Sequence, residues 1–170
     1  MCGIIGFTGN LQAPGILVDG LQQLEYRGYD SAGIAVNNGS ETKIVKTTGK
    51  VATLREKVEA TADLAGTCGI GHTRWATHGG VTEVNAHPHV SGNVTLIHNG
   101  IIENYKELAA SLKTKGFTAI SETDTEVAAM LIDSLYDGDP FAALKEADQM
   151  LEGAYGFCVM FKDHPGEIYC

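Results

Sequence analysis

Aromatic side chains are scarce in this sequence, 7% of 170 residues with Trp75 the single tryptophan, and there are only four prolines and four cysteines. So little proline excludes a polyproline or Pro-rich linker architecture. Cys2, Cys68, Cys158 and Cys170 match neither a disulfide framework nor a pair of CxxC knuckles, which excludes a small disulfide-stapled or zinc-ribbon domain. Basic residues are also few, 12 against 21 acidic, for a formal net charge of −9. Without a basic face, neutralisation of a nucleic-acid backbone and attraction to an anionic membrane surface are both disfavoured. Nowhere do the roughly 20 apolar residues of a transmembrane helix run together. Met1-Cys2-Gly3 opens without the basic region of an export signal. The expectation is a cytosolic protein with reduced thiols, bound to neither nucleic acid nor membrane.

What is present is ordinary globular material. The hydrophobic fraction is 44% and the charged fraction 19%, too apolar for intrinsic disorder. A chain of this length buries roughly 70% of the surface its unfolded form exposes, enough for one domain with a real core. The 21 glycines point to tight turns and close backbone approaches.

Periodicity sketches the elements. Cys2 to Thr8 reads as a buried strand, and Leu17, Leu21 and Leu24 recur at helical spacing after Pro14. Ala32–Val36 and Lys43–Lys46 read as strands around the hairpin signal Asn37-Asn38-Gly39-Ser40. A short helix is expected over Thr53–Ala60 and a strand over Thr67–Thr73, followed by a glycine-containing loop from Trp75 to Val84. A strand over Asn93–His98 is expected to end at Asn99-Gly100. Asn104 with Glu107, and Thr123 with Glu126, have capping-box spacing, and Gly116 sits where a helix-terminating glycine belongs. Asp139-Pro140 opens a third helix of this half, and Ala154–Phe161 is a strand. The last residues, Glu167 to Cys170, look like the opening of another strand, so the expectation is a piece of a longer chain. Strands and helices mix without a βαβ rhythm, which favours α+β with layered sheets.

Cys2 carries the sharpest chemical signal. Removal of Met1, expected before a small residue, would place a thiol and a free α-amine on one residue. The amine titrates at about 7.7–8.0 and so can serve as a base for its own nucleophile. The structural alternative is a small buried hydrophobe. Asn99 and the Gly100 N–H can form an oxyanion hole, or Asn-Gly can be a simple turn. Arg74 suits a bidentate grip on a carboxylate, or a surface ion pair. Asp124 can accept an ammonium, or simply favour a helix N-terminus.

Six segments occur in order: Cys2-Gly3-Ile4-Ile5-Gly6, Glu25-Tyr26-Arg27-Gly28-Tyr29-Asp30-Ser31-Ala32-Gly33, His72 to Gly79, Asn85-Ala86-His87-Pro88-His89, His98 to Asn104, and Ser121 to Glu126. Together they resemble the glutaminase domain of the glucosamine-6-phosphate synthase family, a branch of the N-terminal-nucleophile (class II) glutamine amidotransferases. The resemblance covers nearly the whole chain. It implies an α+β fold, a four-layer αββα sandwich of two antiparallel sheets, with residues 1–170 forming a glutaminase domain truncated at its C-terminal end. It implies hydrolysis of the L-glutamine side-chain amide to L-glutamate and ammonia. In the full-length family enzyme the ammonia passes to a sugar-isomerase region of the same polypeptide, absent here, which converts fructose 6-phosphate to glucosamine 6-phosphate for amino-sugar synthesis.

By the same resemblance Cys2 is the nucleophile that forms a γ-glutamyl thioester, its freed α-amine shuttling the proton. Asn99 and Gly100 are the oxyanion hole, Arg74 the α-carboxylate clamp and Asp124 the partner of the α-amino group. Trp75, Thr77, His78 and Gly79 belong to the loop and pocket that receive glutamine. Arg27 and His87 match positions near the active cysteine and the domain contact. No cofactor and no metal are implied. Rival readings are a metal protein built on Cys68, His72, His78, His87, His89 and His98, a non-catalytic glutamine-binding module, and an amidotransferase of the same class with another acceptor.

Overall fold

The structure, a computed structural model, describes residues 2–76 and 79–170. Its first sheet contains β1 (Gly3–Thr8), β2 (Ser31–Asn37), β3 (Thr42–Thr48) and β4 (Cys68–Arg74) in the order β1-β4-β2-β3, every neighbour antiparallel. The Asn-Asn-Gly-Ser turn behaves as its composition dictates. Asn38 Oδ1 accepts from the N–H groups of Ser40 and Glu41, and Gly39 takes φ +95°, a conformation glycine adopts without a Cβ penalty.

Central strands β2 and β4 are buried at every position, because both of their faces are covered. Even-numbered β4 residues Cys68 and Ile70 face the second sheet, while Gly69 and Gly71 face α1 (Ala13–Leu24). A Cβ at Gly69 would come 2.8 Å from Leu17 Cδ1, so glycine is what lets this helix pack close. Leu17, Val18 and Leu21 of α1, with Val51 and Leu54 of α2 (Val51–Ala60), bury against Ile34 and Val36.

The second sheet has the order β5 (His89–Ser91), β6 (Val94–Ile102), β7 (Gly153–Phe161), again antiparallel. Its outer face is covered by α3 (Tyr105–Thr114), α4 (Asp124–Leu135) and α5 (Pro140–Met150), through Leu108, Leu112, Val127, Leu131, Ala143 and Ala147. Its inner face, Ile97, Cys158 and Met160, packs on Ala35, Cys68 and Ile70 of the first sheet. Helices, sheet, sheet, helices is the expected four-layer αββα arrangement. Among the described residues no helix is long and apolar enough to cross a membrane.

Local signals held unevenly. Thr123 caps α4 by accepting from Glu126 N–H, and the Glu126 carboxylate reaches back to the N–H groups of Ile120 and Ser121. Gly116, at φ +92°, closes α3 with a Schellman pattern, Phe117 N–H to Leu112 O at 3.1 Å. Asn104, however, makes no side-chain cap. Its amide group bonds Met150 O and Glu152 N–H instead, tying α3 to the end of α5. The largest departure concerns Asn99-Gly100, where the strand does not end but continues to Ile102. Gly100 lies at φ +131°, and a Cβ there would sit 2.1 Å from Ala154 O of β7. A turn dipeptide is used here as an in-strand glycine under a closely approaching backbone. Near the end of the chain, the expected strand is a single antiparallel bridge, Tyr169 to Val159.

Candidate active site

A cleft of about 230 Å³ opens at one end of the layer between the sheets, lined by Cys2, Arg74, Trp75, Asn99, Gly100 and Asp124, with His87, His98, Ile101, Thr123 and Thr125. Register brings the first two together. Gly3 pairs with Thr73 in the antiparallel β1–β4 ladder, so one step further Cys2 faces Arg74 across the sheet. The Trp75 N–H then donates to Cys2 Sγ at 3.4 Å. Burial pushes the Cys2 thiol up from its ordinary range, opposed in part by the Trp75 backbone and by the Arg74 charge. A neighbouring base is therefore needed to generate the thiolate at neutral pH.

Arg74 is 4% exposed, and its guanidinium donates to Gly80 O at 3.1 Å and Gly79 O at 3.4 Å. Asp30, at the entrance to β2, stands 4.0 Å from it and also accepts from the Ala76 N–H and from Ser31 Oγ. The stretch at Gly80 is tied from the other side by Glu122, which accepts from Gly80 N–H and from Asn85 Nδ2. Those two donors hold the Glu122 carboxyl below the usual carboxylate range.

Asn99 and Gly100 reach the cleft because β5 covers β6 only over Val94–Leu96. Beyond that, one edge of β6 is occupied by side chains. The His98 N–H donates to His87 Nδ1 at 3.4 Å and the Ile102 N–H to Asp124 Oδ2 at 3.0 Å. Alternation along the strand turns Gly100, midway between them, toward that same edge. Asp124 is the first residue of α4 and is 4% exposed.

Bonding logic sets the histidine tautomers beneath the cleft. His87 Nδ1 accepts from a backbone N–H, so its proton sits on Nε2 and is donated to Thr125 Oγ1 at 3.2 Å. The same Thr125 hydroxyl is hydrogen-bonded to His98 Nδ1 at 2.8 Å. His72 Nε2 donates to His98 O at 2.9 Å, and its ring stacks on His87 at 3.9 Å between centroids. Burial drives His72, His87 and His89 toward the neutral form: His72 and His89 are pushed down to about 3, and His87 lies well below its ordinary value. The rings form a polar pillar that joins β4, the segment before β5, β6 and the start of α4.

Residues 72–170 match the family model described as a glutamine amidotransferase domain. The chain belongs to the glutamine amidotransferase family. It is 53% identical over 166 residues to a glutamine–fructose-6-phosphate aminotransferase (isomerizing) of Thermus thermophilus, the match covering 96% of this chain and 27% of that protein. A protein of the same name from Caldanaerobacter subterraneus is 50% identical, covering 99% of this chain and 28% of its own length. The chain thus spans a little over a quarter of these curated relatives. Among solved structures, a glutamine phosphoribosylpyrophosphate amidotransferase from B. subtilis, complexed with ADP and GMP, superposes with a TM-score of 0.81 at 30% identity. It covers 95% of this chain and 35% of its own.

Within this amidotransferase fold, Cys2, Arg74, Trp75, Asn99, Gly100, Asp124 and His87 come together at one cleft. Gly79 does not line it; its carbonyl accepts from Arg74 instead. Thr77 and His78 lie outside the described residues. Arg27 stands apart from the cleft lining. It ends the short 3-10 turn Glu25–Arg27, which carries it to the surface, and donates to Tyr26 Oη at 2.9 Å. The metal reading built on Cys68 and the histidines of this region finds no support in the geometry of those that are described. Among the described residues no group of three or more potential ligands converges. Sequence reasoning overlooked Asp30, His98 and Thr125. Each sits inside a quoted motif, but only the fold shows that His98 and Thr125 face the cleft and that Asp30 stands beside Arg74.

Proposed function

We propose that this amidotransferase chain is a glutaminase, cleaving the side-chain amide of L-glutamine through a thioester on Cys2. The observation that carries this reading is the convergence of Cys2, Arg74, Asn99, Gly100 and Asp124 on one cleft, although they come from four separate stretches of chain. In the proposed reaction the Cys2 thiol, its proton taken by the freed α-amine, attacks the amide carbon. The carbonyl oxygen becomes an oxyanion held by the Asn99 side chain and the Gly100 N–H. Ammonia leaves with the proton, and water then hydrolyses the γ-glutamyl thioester to L-glutamate.

Arg74 and Asp124 divide the remaining work. The guanidinium holds the α-carboxylate and the aspartate the α-ammonium, a charge pair that a glutamine inside a peptide cannot satisfy. Trp75 lines the pocket beside them, and His87 braces it from below. Residues 1–170 are then the glutaminase domain of a longer polypeptide. Its sugar-isomerase region uses the ammonia to convert fructose 6-phosphate to glucosamine 6-phosphate in the cytoplasm. The names of the relatives support that extension.

Intact mass before and after treatment with a diazoketone analogue of glutamine tests the site. Loss of Met1 with one adduct mapped to Cys2 is the expected result. A processed chain that takes up no adduct and releases no ammonia from glutamine would overturn the reading. Labelling of Cys2 with Met1 still attached would remove the α-amine from the mechanism.

A further inference from the structure

Two cysteines that the amidotransferase chemistry does not use face each other across one edge of β7, Cys158 on the strand and Cys170 on the segment bridged to it. Cys158 Sγ and Cys170 Sγ are 3.1 Å apart, and both are free thiols. This contact follows from register. Val159 and Tyr169 exchange both backbone hydrogen bonds, N–H to O at 2.9 Å in each direction. In an antiparallel ladder the pair next to such a hydrogen-bonded pair is a non-hydrogen-bonded one, with Cα atoms about 4.5 Å apart and side chains on the same face. Cys158 and Cys170 occupy that position, since one step back from Val159 meets one step on from Tyr169. The separation lies within the range a disulfide spans without backbone movement.

The surroundings distinguish this pair from the other thiols. Cys158 is buried beside Met160 and Ile97 in the layer between the sheets, whereas Cys170 is exposed. Cys68 is buried against Met160 Sδ at 3.8 Å, and Cys2 lies in the cleft lining, which Cys158 and Cys170 do not join. Only one member of one pair is therefore both accessible and seated on a partner. Burial raises the Cys158 thiol, so Cys170 is the sulfur that meets a reagent from solution first.

We propose that Cys158 and Cys170 are a redox modification site, a cross-strand dithiol that closes to a disulfide with a low-molecular-weight disulfide such as oxidised glutathione. The Cys170 thiolate attacks one sulfur of oxidised glutathione. The glutathione S–S bond breaks, a mixed disulfide forms, and one glutathione leaves as thiolate and takes a proton. Cys158, losing its proton to solvent, then attacks Cys170 Sγ and expels the second glutathione. Two protein thiols give up two electrons and two protons, and one glutathione disulfide becomes two thiols. The low thiolate fraction of Cys158 slows the second step, but the two sulfurs already in contact supply a high effective concentration. The bond fastens the segment after Phe161 to the edge of β7.

The test uses the 170-residue chain, incubated with oxidised glutathione, quenched with an alkylating agent and digested without reduction. A peptide joining Cys158 to Cys170, with a mass loss of about 2 Da for the two hydrogens, is expected. In Cys170→Ser the joined peptide disappears, and Cys158 is alkylated only after denaturation. Recovery of Cys158 and Cys170 on separate peptides from the unsubstituted chain would overturn the proposal. So would a Cys170 link between two chains, or a link from Cys158 to Cys68 or Cys2. The outcome is independent of glutaminase activity.

Discussion

The Asp30 carboxylate stands 4.0 Å from the Arg74 guanidinium while its other oxygen receives the Ala76 N–H. One side chain thus holds both the cation at the end of β4 and the backbone that leaves the strand behind it. Asp30→Asn keeps the shape and removes the charge. Losing a hydrogen bond to a charged group costs about 1.5 kcal/mol or more, so KM for glutamine is expected to rise about 10-fold with a smaller change in kcat. An unchanged KM would mean that Arg74 is held in place without the Asp30 charge.

Cys2→Ser separates chemistry from structure. The thiol is partly exposed and its contacts are to the Trp75 backbone, so the melting temperature should barely move. Glutamine hydrolysis should fall by about 10³-fold or more, as for loss of a nucleophile elsewhere, and diazoketone labelling should vanish. Retained labelling would place the reactive nucleophile on another residue.

Gly100→Ala meets two obstacles at once. The backbone is at φ +131°, and the added methyl would lie 2.1 Å from Ala154 O. Strain of this kind costs about 1–3 kcal/mol, to be read from the urea midpoint. Because β6 and β7 must spread apart next to the pair Asn99–Gly156, hydrolysis should drop further than stability alone explains. A variant with unaltered midpoint and rate would show that the close approach is relieved cheaply.

Thr125→Val leaves the volume and deletes the hydroxyl between His87 Nε2 and His98 Nδ1. Two buried ring nitrogens lose a partner, which costs about 1–3 kcal/mol each. Chemical denaturation measures it, and Thr125→Ser should recover most of the loss. If serine and valine behave alike, the hydroxyl bridge carries no stability.

Acid should unfold the chain through two other buried histidines. His72 and His89 titrate near 3 in the folded state against 6.5 when unperturbed, because burial disfavours their charged forms. Above pH 6.5 neither state binds the proton and there is no cost. As pH falls from 6.5 toward 3 the unfolded chain takes up protons that the folded chain refuses, so stability drops by about 1.4 kcal/mol per pH unit for each ring. Denaturation midpoints between pH 7 and 5 should show this slope, and His89→Gln should lessen it. A flat profile across that window would mean that these rings titrate normally.

Much of this protein was legible in its sequence because the signals were local. Helix starts at Pro14, Thr123 and Pro140, the Asn38-Gly39 turn and the Gly116 stop rest on residues whose own φ or side-chain oxygen does the work. Cys2, Arg74, Asn99 and Asp124 stood out by chemical type and by resemblance. Tertiary structure decided the rest. Asn99-Gly100 carries the same turn signal as Asn38-Gly39, yet β7 pairs alongside it and keeps it a strand. Asn104 has a capping residue's spacing, but Met150 and Glu152 lie within reach and take its amide. Asp30 meets Arg74, and Cys158 meets Cys170, only through strand register, which fixes distances between residues that spacing along the chain leaves open.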